Sequence, residues 1–106
     1  MPGEIYNVVK LVPKPGKFNE VVEAFKVLSK FIEEHEPKTQ IYFALQPQGS
    51  EELVLVEKYT DADNLKAHAS TAAFKQFGRA IGPLLAQKPD IRRASFLAGV
   101  EGRSKL

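Results

Sequence analysis

The chain has 106 residues, enough for one domain of common size that buries roughly 60–70% of the surface exposed by its unfolded form. Its 15 basic and 13 acidic residues are spread along the sequence and give a net charge of +2. This balance gives no reason to expect nucleic acid or an anionic membrane as a partner. The absence of cysteine excludes disulfides, thiol catalysis and thiolate metal sites.

The first residues, MPGEIYNVV, lack a basic segment followed by an apolar run, and no stretch approaches eighteen consecutive apolar residues. We therefore expect neither a signal peptide nor a membrane span. Together with the lack of cysteine, this favours a soluble cytoplasmic protein. A few basic residues gather late in the chain, and we interpret them as a solvated face or tail. They are Arg92, Arg93, Arg103 and Lys105.

Residues 5–12 are rich in β-branched side chains and predict a first strand, which Pro13 and Pro15 end because proline cannot donate to a ladder. In residues 17–36 the apolar positions recur at spacings of three and four, which predicts an amphipathic helix of about five turns. Pro37 ends this helix, since the residue before a proline avoids the helical conformation. The apolar positions are Phe18, Val21, Val22, Phe25, Leu28 and Ile32.

Residues 39–46 (TQIYFALQ) and 53–59 (LVLVEKY) read as strands, and the short polar turn between them predicts an antiparallel hairpin. Asp61 is then a suitable N-cap for a helix that carries Leu65 and His68. The pair Ser70-Thr71 is expected to cap a second helical segment. That segment holds Phe74, Phe77, Ile81 and Leu84.

The pair Gly82-Pro83 kinks or closes this segment, residues 91–100 predict a last strand, and residues 101–106 read as a flexible tail. The resulting order is β-α-β-β-α-β. It predicts an α+β, ferredoxin-like domain over residues 1–106, in which both helices cover one face of a four-stranded antiparallel sheet.

The strands are apolar on both faces. In the third strand, Leu53 and Leu55 lie on one face while Val54 and Val56 lie on the other, and the first and last strands show the same pattern. A sheet with helices on one side and water on the other should instead alternate apolar with polar residues. The uncovered face would expose more apolar surface than a monomer tolerates, so we expect a homodimer formed through the sheet face.

One stretch sets an acid and an imidazole close together on elements that look buried. Glu57 lies near the end of the third strand, and His68 lies on the helix that follows. An imidazole titrates near neutrality, so His68 can take a proton from a phenol or an enolisable carbon. Glu57 would either orient the imidazole or act as the base itself.

The sequence resembles the antibiotic biosynthesis monooxygenase (ABM) group of dimeric α+β barrel proteins. The matching features are Lys14-Pro15-Gly16, Glu36-Pro37 followed by Tyr42, Glu57 on the third strand, and His68 with Phe74 on the next helix. The resemblance runs from about residue 8 to residue 100. It implies the fold strongly and the reaction weakly, because such proteins include cofactor-free oxygenases of polycyclic phenols and quinols, haem-degrading enzymes and small-sugar isomerases.

From these features we predict a cofactor-independent monooxygenase that acts on an aromatic or enolisable metabolite, with His68 and Glu57 as the catalytic pair. An isomerase, cyclase or lyase that uses the same base, and a binding or stress-related protein without a reaction, are the alternatives. The last of these predicts a pocket closed by Phe74 and Phe77. We expect no cofactor and no metal site. Haem is disfavoured because the chain lacks tryptophan, a frequent pocket residue in haem-degrading and aromatic-oxidising relatives.

The substrate-binding candidates are polar or aromatic residues on the same elements. Asn7 is the strongest of these candidates, since a carboxamide within a strand of β-branched residues must find a hydrogen-bond partner or a ligand. Each candidate also has a structural interpretation: a buried water for the amide, backbone capping for Glu57, and core packing for the rings. The full set is Asn7, Tyr42, Tyr59, Phe74 and Phe77.

Overall fold

The computed structural model describes residues 3–102 of the chain. Helices and strands alternate in the order that the sequence predicts. The elements are β1 (Ile5–Leu11), α1 (Phe18–His35), β2 (Thr39–Leu45), β3 (Leu53–Tyr59), α2 (Ala62–Ala69), α3 (Ala72–Ile81), a 3₁₀ turn (Gly82–Leu84) and β4 (Asp90–Ala94).

The four strands form one sheet in the order β2-β3-β1-β4, and every neighbouring pair is antiparallel. β1 lies between β3 and β4, so each helical connection joins two strands that are separated by a third. This is the ferredoxin-like arrangement, and the predicted fold class is confirmed.

The helices cover one face of this sheet. The buried residues of α1 recur at helical spacing, and they meet alternate residues of β1 and β3. The resulting core continues into α3 through Phe77 and Ile81. Its members are Val9, Leu11, Val21, Phe25, Leu28, Ile32, Leu53, Leu55, Phe77, Ile81 and Leu85.

The second helical region is split in two by its caps. Asp61 accepts a hydrogen bond from the backbone N–H of Asn64 and begins α2, and Thr71 accepts one from the N–H of Phe74 and begins α3. Both caps agree with the sequence prediction. The break turns the chain at Ser70, so α2 and α3 contribute separate walls to the same side of the sheet.

The predicted last strand was too long. Pairing between β4 and β1 runs from Asp90 opposite Lys10 to Ala94 opposite Tyr6, and β1 itself begins at Ile5. Within residues 3–102, β4 pairs with β1 alone. Because β1 extends no further, the chain leaves the sheet instead of continuing to residue 100. The apolar residues beyond it are exposed and were wrongly assigned to sheet faces. They are Phe96, Leu97 and Val100.

The segment after β4 makes contacts with the helix-free face. Phe96 lies 6.5 Å from the ring of Tyr6, and Glu101 pairs with Lys58 and accepts a hydrogen bond from the Tyr6 hydroxyl. Of the tail predicted to be flexible, residues 103–106 lie outside the described residues. None of the helices formed by residues 3–102 combines the length and apolar composition needed to cross a bilayer.

We expect Leu28→Ala to lower the free energy of unfolding by about 2–5 kcal/mol, because it leaves a cavity under α1. Leu28 is 1% exposed, whereas its neighbour Val27 is 73% exposed. Val27→Ala is therefore the matched control and should change stability by no more than about 0.5 kcal/mol. Urea denaturation of both variants measures the difference, and equal losses would contradict this packing.

Candidate functional site

A row of polar side chains crosses the helix-covered face of the sheet. Strand pairing sets Arg93 of β4 opposite Asn7 of β1, Asn7 opposite Glu57 of β3, and Glu57 opposite Tyr42 of β2. These four residues, here called the polar row, bring one side chain from every strand into a single line. The adjacent row toward α3 is apolar throughout, with Ile91, Val9, Leu55 and Ala44 in register.

A cavity of about 150 Å³ lies between these two rows and the helices α2 and α3. Its polar end is formed by the side chains of Asn7, Glu57 and His68, and its opposite end is apolar. Phe74 and Phe77 form part of the wall and leave the space open. The apolar surroundings include Val9, Leu11, Leu55, Leu65 and Ile81.

Glu57 is buried and hydrogen-bonded at one end of the cavity. Its Oε1 accepts hydrogen bonds from the Tyr59 hydroxyl at 2.7 Å and from Asn7 Nδ2 at 3.4 Å. Asn7 Oδ1 in turn accepts from Arg93 Nε at 2.8 Å. Burial raises the pKa of Glu57, and it outweighs the hydrogen bonds and the attraction of His68 and Arg93, which lower it.

His68 takes a different carboxylate as its partner. Its Nδ1 lies 2.9 Å from Oε1 of Glu36, the residue that follows α1, and the imidazole is only 2% exposed. Pro37 ends α1 at this point, and the Glu36 backbone N–H still donates to Ile32 O. The carboxylate is thereby fixed at the helix end, facing α2.

A second set of hydrogen bonds supports this pair. Thr39 Oγ1 donates to Glu36 Oε1 at 2.9 Å, and Asn64 Nδ2 donates to Thr39 Oγ1 at 3.2 Å. Asn64 lies one turn before His68 on the same face of α2, and its Oδ1 accepts from the N–H of Thr60. The geometry of the imidazole and carboxylate is therefore held by α1, β2 and α2 together.

The second nitrogen of His68 is left without a partner in the described part of the chain. Nε2 is buried without a hydrogen bond to any of residues 3–102. The ring centroids of Tyr42, Tyr59 and Phe74 lie 5.4, 5.2 and 4.9 Å from that of His68, and all three residues line the cavity. When the Glu36 carboxylate acts as the acceptor, Nδ1 carries the hydrogen, and the lone pair of a neutral ring is then on Nε2.

The two tyrosines of the site remain protonated at neutral pH. Burial, followed by the negative charges of Glu57 and Glu36, raises the pKa of Tyr42, and burial together with Glu57 raises the pKa of Tyr59. The Tyr42 ring is also stacked on Phe25, with centroids 5.4 Å apart. Both hydroxyls are therefore hydrogen-bond donors and not bases.

The structure brings all the candidates together around one cavity, but with a different pairing from the one expected. Asn7, Tyr42, Glu57, Tyr59, His68, Phe74 and Phe77 all line it. His68 nevertheless bonds Glu36 and not Glu57. Sequence reasoning missed Glu36 and Arg93 as site residues. The proline after Glu36 was the available signal for the first, and Arg93 becomes visible only through the register of β4 with β1.

Within residues 3–102, no group of three or more histidine, aspartate or glutamate side chains is arranged to hold a metal ion. The chemistry available at the cavity is that of an imidazole, two carboxyls, an amide and two phenols. Such groups move protons and orient polar substituents of a bound molecule.

A family model described as antibiotic biosynthesis monooxygenase (ABM) matches residues 4–80. This match covers more than half of the chain, and it includes β1, α1, the hairpin, α2 and most of α3. The chain therefore belongs to the ABM family.

Solved structures agree with this assignment. A proposed antibiotic biosynthesis monooxygenase from Caulobacter crescentus CB15 is 30% identical, with a TM-score of 0.85 over 91% of this chain and 92% of its own. One from Nitrosomonas europaea is 20% identical, with a TM-score of 0.84 over 92% and 94%. A conserved protein from Methanosarcina mazei Go1 is 24% identical, with a TM-score of 0.80 over 87% and 91%. The last two show the fold alone. No curated protein sequence matches the chain.

The raised pKa of Glu57 makes stability depend on pH. The folded state holds this proton more tightly than the unfolded chain, so the stabilising contribution is complete below the ordinary carboxyl range of about pH 4. It is lost as the pH rises through the raised pKa. Glu57→Gln keeps an acceptor for Tyr59 but cannot ionise, so its stability relative to the natural protein should increase from acidic to neutral pH.

Urea denaturation at a series of pH values measures this difference. Glu51→Gln removes the same charge at an exposed position and is the control for net charge. A difference between Glu57→Gln and the natural protein that stays constant over the whole range would contradict the raised pKa.

Proposed function

We propose that this protein is a cofactor-independent monooxygenase for a small phenol, quinol or enolisable molecule. The observation that carries the proposal is the buried, unpartnered Nε2 of His68, on an imidazole whose Nδ1 is held by Glu36 beside an apolar cavity. A base oriented by a carboxylate in this way is suited to removing a proton from a bound substrate.

The reaction needs only the substrate and molecular oxygen as redox partners. Nε2 of His68 takes a proton from the hydroxyl or from the enolisable carbon, and the electron-rich anion donates electrons to O₂. A C–O bond forms at the substrate carbon, giving a hydroperoxide. For a CH₂ carbon, loss of water then leaves a carbonyl. One oxygen atom is in the product and the other is in water. The CH₂ carbon supplies all four electrons that reduce O₂ and both hydrogens of the water.

Donors for the developing oxyanion lie next to the base. The Tyr42 hydroxyl accompanies His68 at the cavity and is protonated at neutral pH. Within residues 3–102, the Tyr42 hydroxyl forms no hydrogen bond with another side chain. An O–H aimed at an anion in a dry cavity stabilises charge more than the same group in water. We assign Glu36 a positioning role and Tyr42 the role of anion donor.

Family membership supports a monooxygenase over an isomerase or lyase. The 30% identical protein from C. crescentus is itself named as a proposed antibiotic biosynthesis monooxygenase. The same base also supports an isomerase or lyase, because enolisation requires the proton transfer and no oxygen. The two functions share the site and differ only in the oxygen consumed.

We expect the protein to consume oxygen with an electron-rich single-ring substrate such as a hydroquinone, measured with an oxygen electrode beside product analysis. His68→Gln should lower the rate by about 10²- to 10⁴-fold, because the general base is removed. Product formation under anaerobic conditions would instead support the isomerase or lyase.

His35→Gln is the matched control for this variant. His35 is exposed, contacts the ring of Phe31 at 4.8 Å and does not line the cavity, so its replacement should leave the rate unchanged. Equal turnover by His68→Gln and the natural protein would remove His68 from the mechanism.

We also propose that two copies pack through their helix-free sheet faces. This face carries apolar side chains that are 41%, 46% and 55% exposed, at Val8, Phe43 and Leu45. Val54 and Val56 lie between them on β3. Such a contiguous apolar surface on a sheet is stable in water when a second apolar face covers it.

Sedimentation at micromolar concentration should therefore give the mass of two chains. Phe43→Glu places a charge within this apolar face, opposite Val56, and should shift the protein to a monomer. Val27→Glu adds the same charge to an exposed apolar position on α1 and should remain dimeric. A natural protein that sediments as a monomer would contradict the proposal.

A further inference from the structure

We propose that the ligand of the cavity is a single-ring hydroxylated molecule that also carries a carboxylate, and that Arg93 binds this carboxylate. The inference rests on the proposed function for the location of the site, and it specifies the substrate class. Three observations carry it: the volume of the cavity, the free donors of Arg93 and the length of the polar row.

The volume restricts the ligand to about one six-membered ring. A cavity of about 150 Å³ lined by leucine, isoleucine and phenylalanine has the size that holds benzene. The apolar end of this cavity, with Leu11, Phe77 and Ile81, has that composition. A ring system of three fused rings exceeds the space by a wide margin.

Arg93 is placed to receive an anion at the rim. Its Nε donates to the buried amide of Asn7, which lines the polar end of the cavity, while Arg93 itself is exposed and lies just outside the lining. Glu57 attracts it through space, but no carboxylate within residues 3–102 forms a direct salt bridge with it, so its remaining N–H groups are available for a planar anion. Ile91, two residues earlier on the same face, lines the cavity and is exposed, so the opening lies beside Arg93.

The neighbouring Arg92 has none of these properties. It lies on the opposite face of β4 and bonds Asp90 at 3.3 Å instead of Asn7. The same strand therefore carries one arginine on the helix-covered face, next to the cavity, and one on the helix-free face.

The polar row matches the length of such a ligand. Arg93 and Glu57 are two strands apart, which is about 10 Å between backbones at a spacing of about 4.8 Å. A ring lying across β1 therefore reaches Arg93 with its carboxylate and the side of His68 and Tyr42 with its hydroxyl. An aromatic acid with the hydroxyl opposite the carboxylate fits this distance.

Isothermal titration under anaerobic conditions tests the inference without turnover. The probes are para-hydroxybenzoate, its methyl ester and a hydroxynaphthoate. The natural protein should bind the acid about tenfold more tightly than the ester, as expected for one charged hydrogen-bonded contact, and should bind the two-ring acid more weakly.

Arg93→Gln should abolish the preference for the acid, because the amide keeps a donor for Asn7 but carries no charge. Arg93→Lys should retain part of the preference, and Arg92→Gln all of it. Equal binding of acid and ester, equal effects of the two glutamine variants, stronger binding of the two-ring acid, or no binding of any probe would each overturn the inference. Binding of the acid without oxygen consumption would refute the monooxygenase and leave this ligand class intact.

Discussion

The site depends on the hydrogen bond between His68 and Glu36, two residues 32 positions apart in the sequence. Helix α1 supplies the carboxylate where proline ends it, and α2 supplies the imidazole one turn after the buried Asn64. Because Thr39 of β2 bonds the same carboxylate oxygen, the contact joins both helices to the sheet. It fixes which nitrogen of the ring is left for chemistry, and this choice decides what the cavity can do.

The sheet gives the site its second constraint. Antiparallel pairing in register places equivalent positions of all four strands in straight rows, so one polar residue per strand is enough to build a continuous polar line. Next to it lies an apolar line of the same length. The cavity therefore has one polar and one apolar end without any special loop, since the two rows are formed by side chains two positions apart on the same face of each strand.

Much of the fold followed from local pattern. The spacing of apolar residues in α1, the prolines that bound it, and the caps Asp61 and Thr71 all act within a few residues, so the sequence displays them directly. The length of β4 did not follow. Residues 95–100 are as apolar as a strand, and what stops pairing is the start of β1, which lies ninety residues earlier.

For the site too, features set by nearby residues could be predicted, whereas contacts between distant parts of the chain could not. Glu57 and His68 attract notice because they are close in sequence and lie on buried elements, and both do face the cavity. Of the two roles expected for Glu57, orienting the imidazole is taken by Glu36, since proximity along the chain does not decide which carboxyl a ring nitrogen meets. Glu36 reaches His68 only after α1 and α2 pack on one sheet face, and Arg93 reaches Asn7 only through strand register.

The short strand β4 stands at one border of the sheet, where its outer backbone groups have no neighbouring strand among residues 3–102. An exposed edge strand can pair with a strand of another molecule and so cause aggregation. Proteins limit this by keeping edge strands short and by placing charged residues on them. β4 has both, with five residues of which Asp90, Arg92 and Arg93 are charged. The positive charge beside the cavity opening thus also protects against self-association along that border, so a neutral residue there would weaken two unrelated properties at once.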